Sequence, residues 1–162
     1  MAAVQYFLKI DGVNGESSDA KHRGEIDVLS WSFGEQRQGN SGSGAGGAVG
    51  RAEFQDFQFI ANTSKASPQL FLACASGEHL NTAVLTCRRE AGFQLEFLVI
   101  KFSDLLVSGY QGEGPVDKDV VPLDRVSLNF AKIEVSYVER KADGTLAPPI
   151  NLGWDIKSGT RI

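Results

Sequence analysis

Between Val126 and Tyr137 the chain reads VSLNFAKIEVSY, with Val126, Leu128 and Phe130 alternating on one parity and Ile133, Val135 and Tyr137 on the other. Strict alternation marks a strand with one buried face, because successive side chains point to opposite sides of a sheet. A change of parity inside an unbroken apolar run requires a bulge, or a strand that passes from one wall of a sheet to another. The pattern predicts one long strand shared by two packed walls of a closed or sandwich-like β-domain.

The rest of the chain follows the same period. Tyr6–Ile10 predicts a first strand and Glu25–Arg37 a second, with Leu29, Trp31 and Phe33 on the apolar parity and Ser30 and Ser32 opposite. Arg51–Ile60 predicts a third strand with its own parity switch between Phe54 and the pair Phe57 and Phe59. Further strands are expected over His79–Arg89, Phe93–Val107 and Ile150–Ile156, the last with Ile150, Leu152, Trp154 and Ile156 at period two. One helix is predicted at about residues 65–76. Ser67 would act as N-cap before Pro68, Leu70, Phe71 and Cys74 share a face, and Gly77 supplies the stop. Segments 11–24 and 108–122 are polar and glycine-bearing and predict long exposed loops. Asn40–Gly50 is a Gly/Ser/Ala stretch that predicts a flexible hairpin tip, and Glu90-Ala91-Gly92 a tight turn.

Composition narrows the class. A chain of 162 residues with 22% charged and 42% hydrophobic residues fits one globular domain over 1–162. A net charge of −4 disfavours nucleic acid, since phosphate binding needs a basic patch. The N-terminus lacks the basic start, apolar core and cleavage site of a secretory leader, and no apolar run is long enough to insert in a membrane. The chain is therefore expected to fold in the cytoplasm, with any export by a route that reads no cleaved leader.

The candidate chemistries are sparse. Gly42-Ser43-Gly44-Ala45-Gly46-Gly47 matches the dinucleotide fingerprint, but that motif works at a helix N-terminus, and here a strand pattern follows. His22 and His79 are too few for a metal site or a nucleophile–base pair and are expected as solvated loop residues. Cys74 and Cys87 lack metal or redox spacing; they fit two small core residues, with a disulfide as the alternative. Trp31 and Trp154 share parity with apolar neighbours and are expected in the core rather than as a sugar-stacking platform. No catalytic residue and no cofactor is expected. Function by contact through the long loops remains, and a monomeric ligand-binding module, such as a carbohydrate-binding β-sandwich, stays open beside a self-assembling subunit.

Several blocks then carry a resemblance: Glu25-Ile26-Asp27-Val28-Leu29-Ser30-Trp31-Ser32-Phe33-Gly34, Ser67-Pro68 to Cys74 with Ser76-Gly77 and His79, and Leu85-Thr86-Cys87-Arg88. Leu105–Ser108, Val126–Tyr137 and Gly153-Trp154-Asp155 complete the set. Together they closely resemble the haemolysin-coregulated protein (Hcp) family of the bacterial type VI secretion system, whose common Arg-Lys-Ala-Gly turn is replaced here by Arg89-Glu90-Ala91-Gly92. The resemblance implies a mainly β fold, a small β-barrel of two packed antiparallel-rich sheets with one helix at its side. It implies a homohexameric ring, stacked into a tube that a contractile sheath drives out of the cell behind a spike protein, and a lumen able to carry effectors. It also implies a secreted protein without a fused toxin domain, since the chain ends at Ile162. Within that frame Ser30 and Ser32 are expected to face the lumen and its cargo. Asn14 and Glu16 of the 11–24 loop, with Glu90, Ala91 and Gly92 of the turn, are expected at ring–ring contacts.

Overall fold

The computed structural model describes residues 3–39, 50–90 and 92–162. In chain order these form β1 (Val4–Ile10), β2 (Ile26–Ser32), β3 (Glu35–Gln36), β4 (Glu53–Phe54), β5 (Phe57–Asn62) and α1 (Ala66–Ser76). There follow β6 (Leu80–Glu90), β7 (Gln94–Glu113), β8 (Leu123–Tyr137), β9 (Ile150–Asp155) and β10 (Thr160–Arg161). The strands β8-β5-β2-β1-β6-β7 are hydrogen-bonded in that order, and β7 also pairs with β8, so six strands close into a barrel. Closure leaves these six without a free edge along the paired stretches. β9 and β10 extend the sheet from β8, and β3 and β4 form a separate two-stranded ribbon.

The shared strand is β8. Its first half pairs with β5, its second half with β9, and β7 runs along its other edge throughout. Val126, Leu128 and Phe130 are buried, then Ala131 and Ile133, so the parity changes between Phe130 and Ala131. β7 changes in step. Ile100 and Phe102 are buried before Asp104, Leu105 and Val107 after it. Asp104 makes the change with φ 53°, the one positive value among the described non-glycine residues. Aspartate is among the few side chains that tolerate that region.

Both parity classes converge on an aromatic core. Phe102 lies 4.6 Å from Phe57 and 4.7 Å from Phe130 between ring centroids, and Leu8, Leu85 and Leu128 are fully enclosed around them. Each such side chain contributes about 1.5–3 kcal/mol by leaving water. Trp31 and Trp154 pack half-buried against this core, and Cys87 is buried within it. Both cysteines are free thiols.

Several expectations change. Leu29 is 52% exposed, because a bulge between Val28 and Ser30 in the pairing with β5 inserts one residue. The inward set is therefore Ile26 and Val28, then Trp31 and Phe33. Arg51–Ile60 is not one strand. Its parity switch falls at Gln55 and Asp56, where β4 ends and β5 begins in another sheet. The expected 108–122 loop is half strand, since β7 continues to Glu113 against Leu123. Tyr110 anchors that extension, edge-on to Phe71 and with its hydroxyl on Asp124.

Ser67 is not the N-cap but lies inside the first turn of α1. Capping comes from Ser64, whose Oγ accepts from the Ala66 N–H while its own N–H donates to Ser67 Oγ. The stop is as expected, with Gly77 at φ 69°. The glycine-rich stretch, except Gly39 and Gly50, and Ala91 lie outside the described residues.

Candidate functional site

Where β2, β5, β8 and β7 lie side by side, their outward positions form a shallow groove of about 560 Å³. Ser30 and Ser32 of β2, Gln58 and Ile60 of β5, Arg125 and Ser127 of β8 and Gln111 of β7 line it. The bulge at Leu29 sets this face, because it turns Ser30 and Ser32 outward on either side of the inward Trp31. Gly109 keeps β7 close to β8: a Cβ there would meet Ser127 Oγ at 2.5 Å. Arg125 is the cation of the groove and is matched by Glu113, with Nε 2.7 Å from its carboxylate. At one end Ser108 Oγ donates to Asp56 at 2.6 Å and Asn129 donates to the same carboxylate at 2.9 Å. The surface thus mixes hydroxyl and amide groups with apolar Ile60, and its cation Arg125 is paired with Glu113.

The 11–24 loop is mostly exposed, as its polarity suggests, but Val13, Gly15, Ser17 and His22 are buried. It folds back across the outer face of β1, β6 and β7 and covers Phe7, which is 3% exposed. His22 stacks on Phe7 with centroids 4.4 Å apart and is itself buried, contrary to the expectation of a solvated histidine. Its Nδ1 lies 2.9 Å from Glu25 and its Nε2 2.7 Å from Glu96. Burial works to lower its pKa, but the hydrogen bonds to Glu96 and Glu25 outweigh that and leave it raised. Beside it Arg88, 1% exposed, grips Asp19 at 2.9 and 2.6 Å and Gln5 at 2.7 Å. The Arg88 hydrogen bond holds the Asp19 carboxyl well below the usual carboxylate range. His79 remains exposed. The Glu25 partner, three residues from His22, is local; Arg88 is 69 positions from Asp19 and 83 from Gln5, and Glu96 is 74 from His22.

The expected stacking residues separate into two places. The Asn14 N–H donates to Gln69 and the Glu16 carboxylate accepts from the Lys65 N–H, both beside the start of α1. Glu90 closes β6 at the other end of β1, where its N–H donates to the Ala3 carbonyl. Gly92 turns the hairpin with φ 78°, and Ala91 lies outside the described residues. A protomer therefore keeps the two sets apart.

This architecture has relatives. The family model described as type VI secretion system effector, Hcp, matches residues 7–137. Protein hcp1 of Pseudomonas aeruginosa is 40% identical over 161 residues, covering 98% of this chain and 99% of that protein. The crystal structure of Hcp1 from Salmonella typhimurium superposes with a TM-score of 0.80 at 34% identity, covering 100% of both chains. A second solved structure, of a type six secretion system protein, gives a TM-score of 0.92 at 26% identity over 99% of this chain and 100% of its own. With a family match over most of its length and full-length relatives of this identity, the chain belongs to the Hcp family of type VI secretion tube proteins.

Proposed function

We propose that the chain acts as one domain over 1–162, six copies of which close into a ring, and that such rings stack into the inner tube of the secretion machine. The role is structural rather than catalytic. The observation that carries it is the family match joined to cover of the whole barrel by full-length relatives. The groove around Ser30 and Ser32 supports a lumenal face. Its mixed hydroxyl, amide and apolar lining and its paired Arg125 would let effectors of either charge pass without trapping.

The separation of Asn14 and Glu16 from Glu90 and Gly92 supports stacking. Head-to-tail contacts need two different surfaces at opposite ends of the repeating unit. The partners are then further copies of the ring, a spike protein at the tip, the surrounding sheath and effectors in the lumen. The protein waits in the cytoplasm and leaves for the medium or a target cell. No helix among the described residues is long and apolar enough to cross a membrane. Nothing in the groove favours the monomeric sugar-binding reading, because Trp31 and Trp154 pack against the core instead of forming a stacking platform.

Light scattering after size exclusion, with negative-stain images of the same peak, tests the ring. A mass six times the 17.5 kDa chain with annular particles is expected. A clean monomer at high concentration overturns it.

A further inference from the structure

We propose that His22, clamped between Glu25 and Glu96, is a proton-dependent latch that holds the 11–24 loop closed over Phe7 and releases it when the clamp loses its proton. Both ring nitrogens lie within hydrogen-bond distance of a carboxylate oxygen, at 2.9 and 2.7 Å. Neutral imidazole carries one N–H and one lone pair, so it can satisfy one carboxylate and must turn a lone pair toward the other. The closed geometry therefore holds one proton more than neutral imidazole with two ionised glutamates. Without that proton two acceptors face each other beside the buried Phe7 ring, an arrangement of the kind that burial penalises.

The surroundings leave the latch as the titrating pin. From the loop comes Asp19, from the junction with β2 Glu25, from β6 Arg88, from β7 Glu96, while β1 presents the Phe7 ring. Arg88 sits over the same ring at 4.8 Å, and Asp19, bound to it through two nitrogens, offsets its charge. With Arg88 raised and Asp19 depressed, that second pin keeps both charges across neutral and alkaline pH. His22 is raised above its ordinary 6.5, so its contribution is complete below that value and is lost as pH rises through the folded value.

The loop stays closed in mildly acidic conditions and loses its latch as pH rises through the raised His22 value. Four backbone hydrogen bonds report on it: Gly15 to Gly24, Ser17 to Glu25, Gly24 to Ser17 and Glu25 to His22. If the loop forms a stacking surface, as the tube reading has it, its order and hence stacking become pH-dependent. The latch itself is testable without stacking.

The experiment pairs the NMR titration of His22 with hydrogen exchange of those four amides in the whole protein, corrected for the intrinsic pH dependence of exchange. An imidazole midpoint above 6.5 is expected, with protection falling by up to about tenfold per pH unit through the same range while the β1–β6 ladder stays protected. His22→Phe keeps a ring on Phe7 but removes both donors, and should give low, pH-independent protection in the loop. Glu96→Gln should move the transition to lower pH. A midpoint at or below 6.5, loop protection in the unaltered protein that does not change with pH, or wild-type protection in His22→Phe would each overturn the latch.

Discussion

Asp124 shows at the residue scale how the helix is tied to the barrel. It is 3% exposed, yet its two carboxylate oxygens accept from three hydroxyls: Thr63 at 3.2 Å, Tyr110 at 3.1 Å, and Ser67 in a short contact. Those donors come from the segment before α1, from α1 itself and from the extension of β7, so one side chain joins three pieces of chain. Burial, then the bond to Asp124, lifts the Tyr110 hydroxyl above its ordinary pKa. A hydrogen bond to a charged acceptor contributes about 1.5–3 kcal/mol, and leaving buried donors unmatched costs a comparable amount. Asp124→Asn keeps the shape but turns one acceptor into a donor, and should destabilise by about 1–3 kcal/mol. In a domain of this size that lowers the melting temperature by about 3–10 °C in a thermal scan. An unchanged melting temperature would mean that Asp124 contributes little to the tie. No run of sequence announces this residue, since Asp124 is separated from Ser67 by 57 positions.

Elements were legible where a local pattern suffices. The parity change in β8 was visible in VSLNFAKIEVSY because both halves bury apolar side chains against a core that wraps around them. The helix and its Gly77 stop were equally local. The bulge at Leu29 was not, because it belongs to the pairing with β5, and a leucine inside an apolar parity gives no sign of an inserted residue. The extension of β7 past Val107 was hidden by the glycines at 109 and 112, which look like loop although both pair in the ladder with β8. The same geometry exposes Ser32 with little packing to lose. Ser32→Phe should fill part of the groove and leave barrel and rings intact, since the side chain points outward from β2. The expected result is an annular particle of unchanged mass with at least a several-fold drop in co-purified effector. Unchanged effector recovery would remove this face from the lumen.

On the scale of the whole molecule, the chain must present two unlike surfaces at opposite ends if rings are to stack without limit. In the proposed stack Asn14 and Glu90 lie at those ends. Val13 is bonded back to Ile10 at one end of β1, and Glu90 donates to Ala3 at the other. Seven strand residues lie between, a span of about 20 Å, far beyond the separation of about 7 Å that a disulfide can bridge. An Asn14→Cys, Glu90→Cys double variant cannot close a disulfide within one protomer, so any bond it forms joins two molecules. Asn14 suits the test because its recorded hydrogen bond uses the backbone N–H, whereas the Glu16 carboxylate is engaged at Lys65. Cys74 is half-buried and should be replaced by serine, while Cys87 can stay. Burial pushes its thiol up to about 11 against an opposing hydrogen bond from Trp31, which leaves almost no thiolate to react. Under mild oxidation the double variant should give a ladder of covalent multimers on a non-reducing gel, and each single variant should stay monomeric there. Stacked tubes in the electron microscope without a ladder would move the ring–ring contact away from the 11–24 loop and the β6–β7 turn.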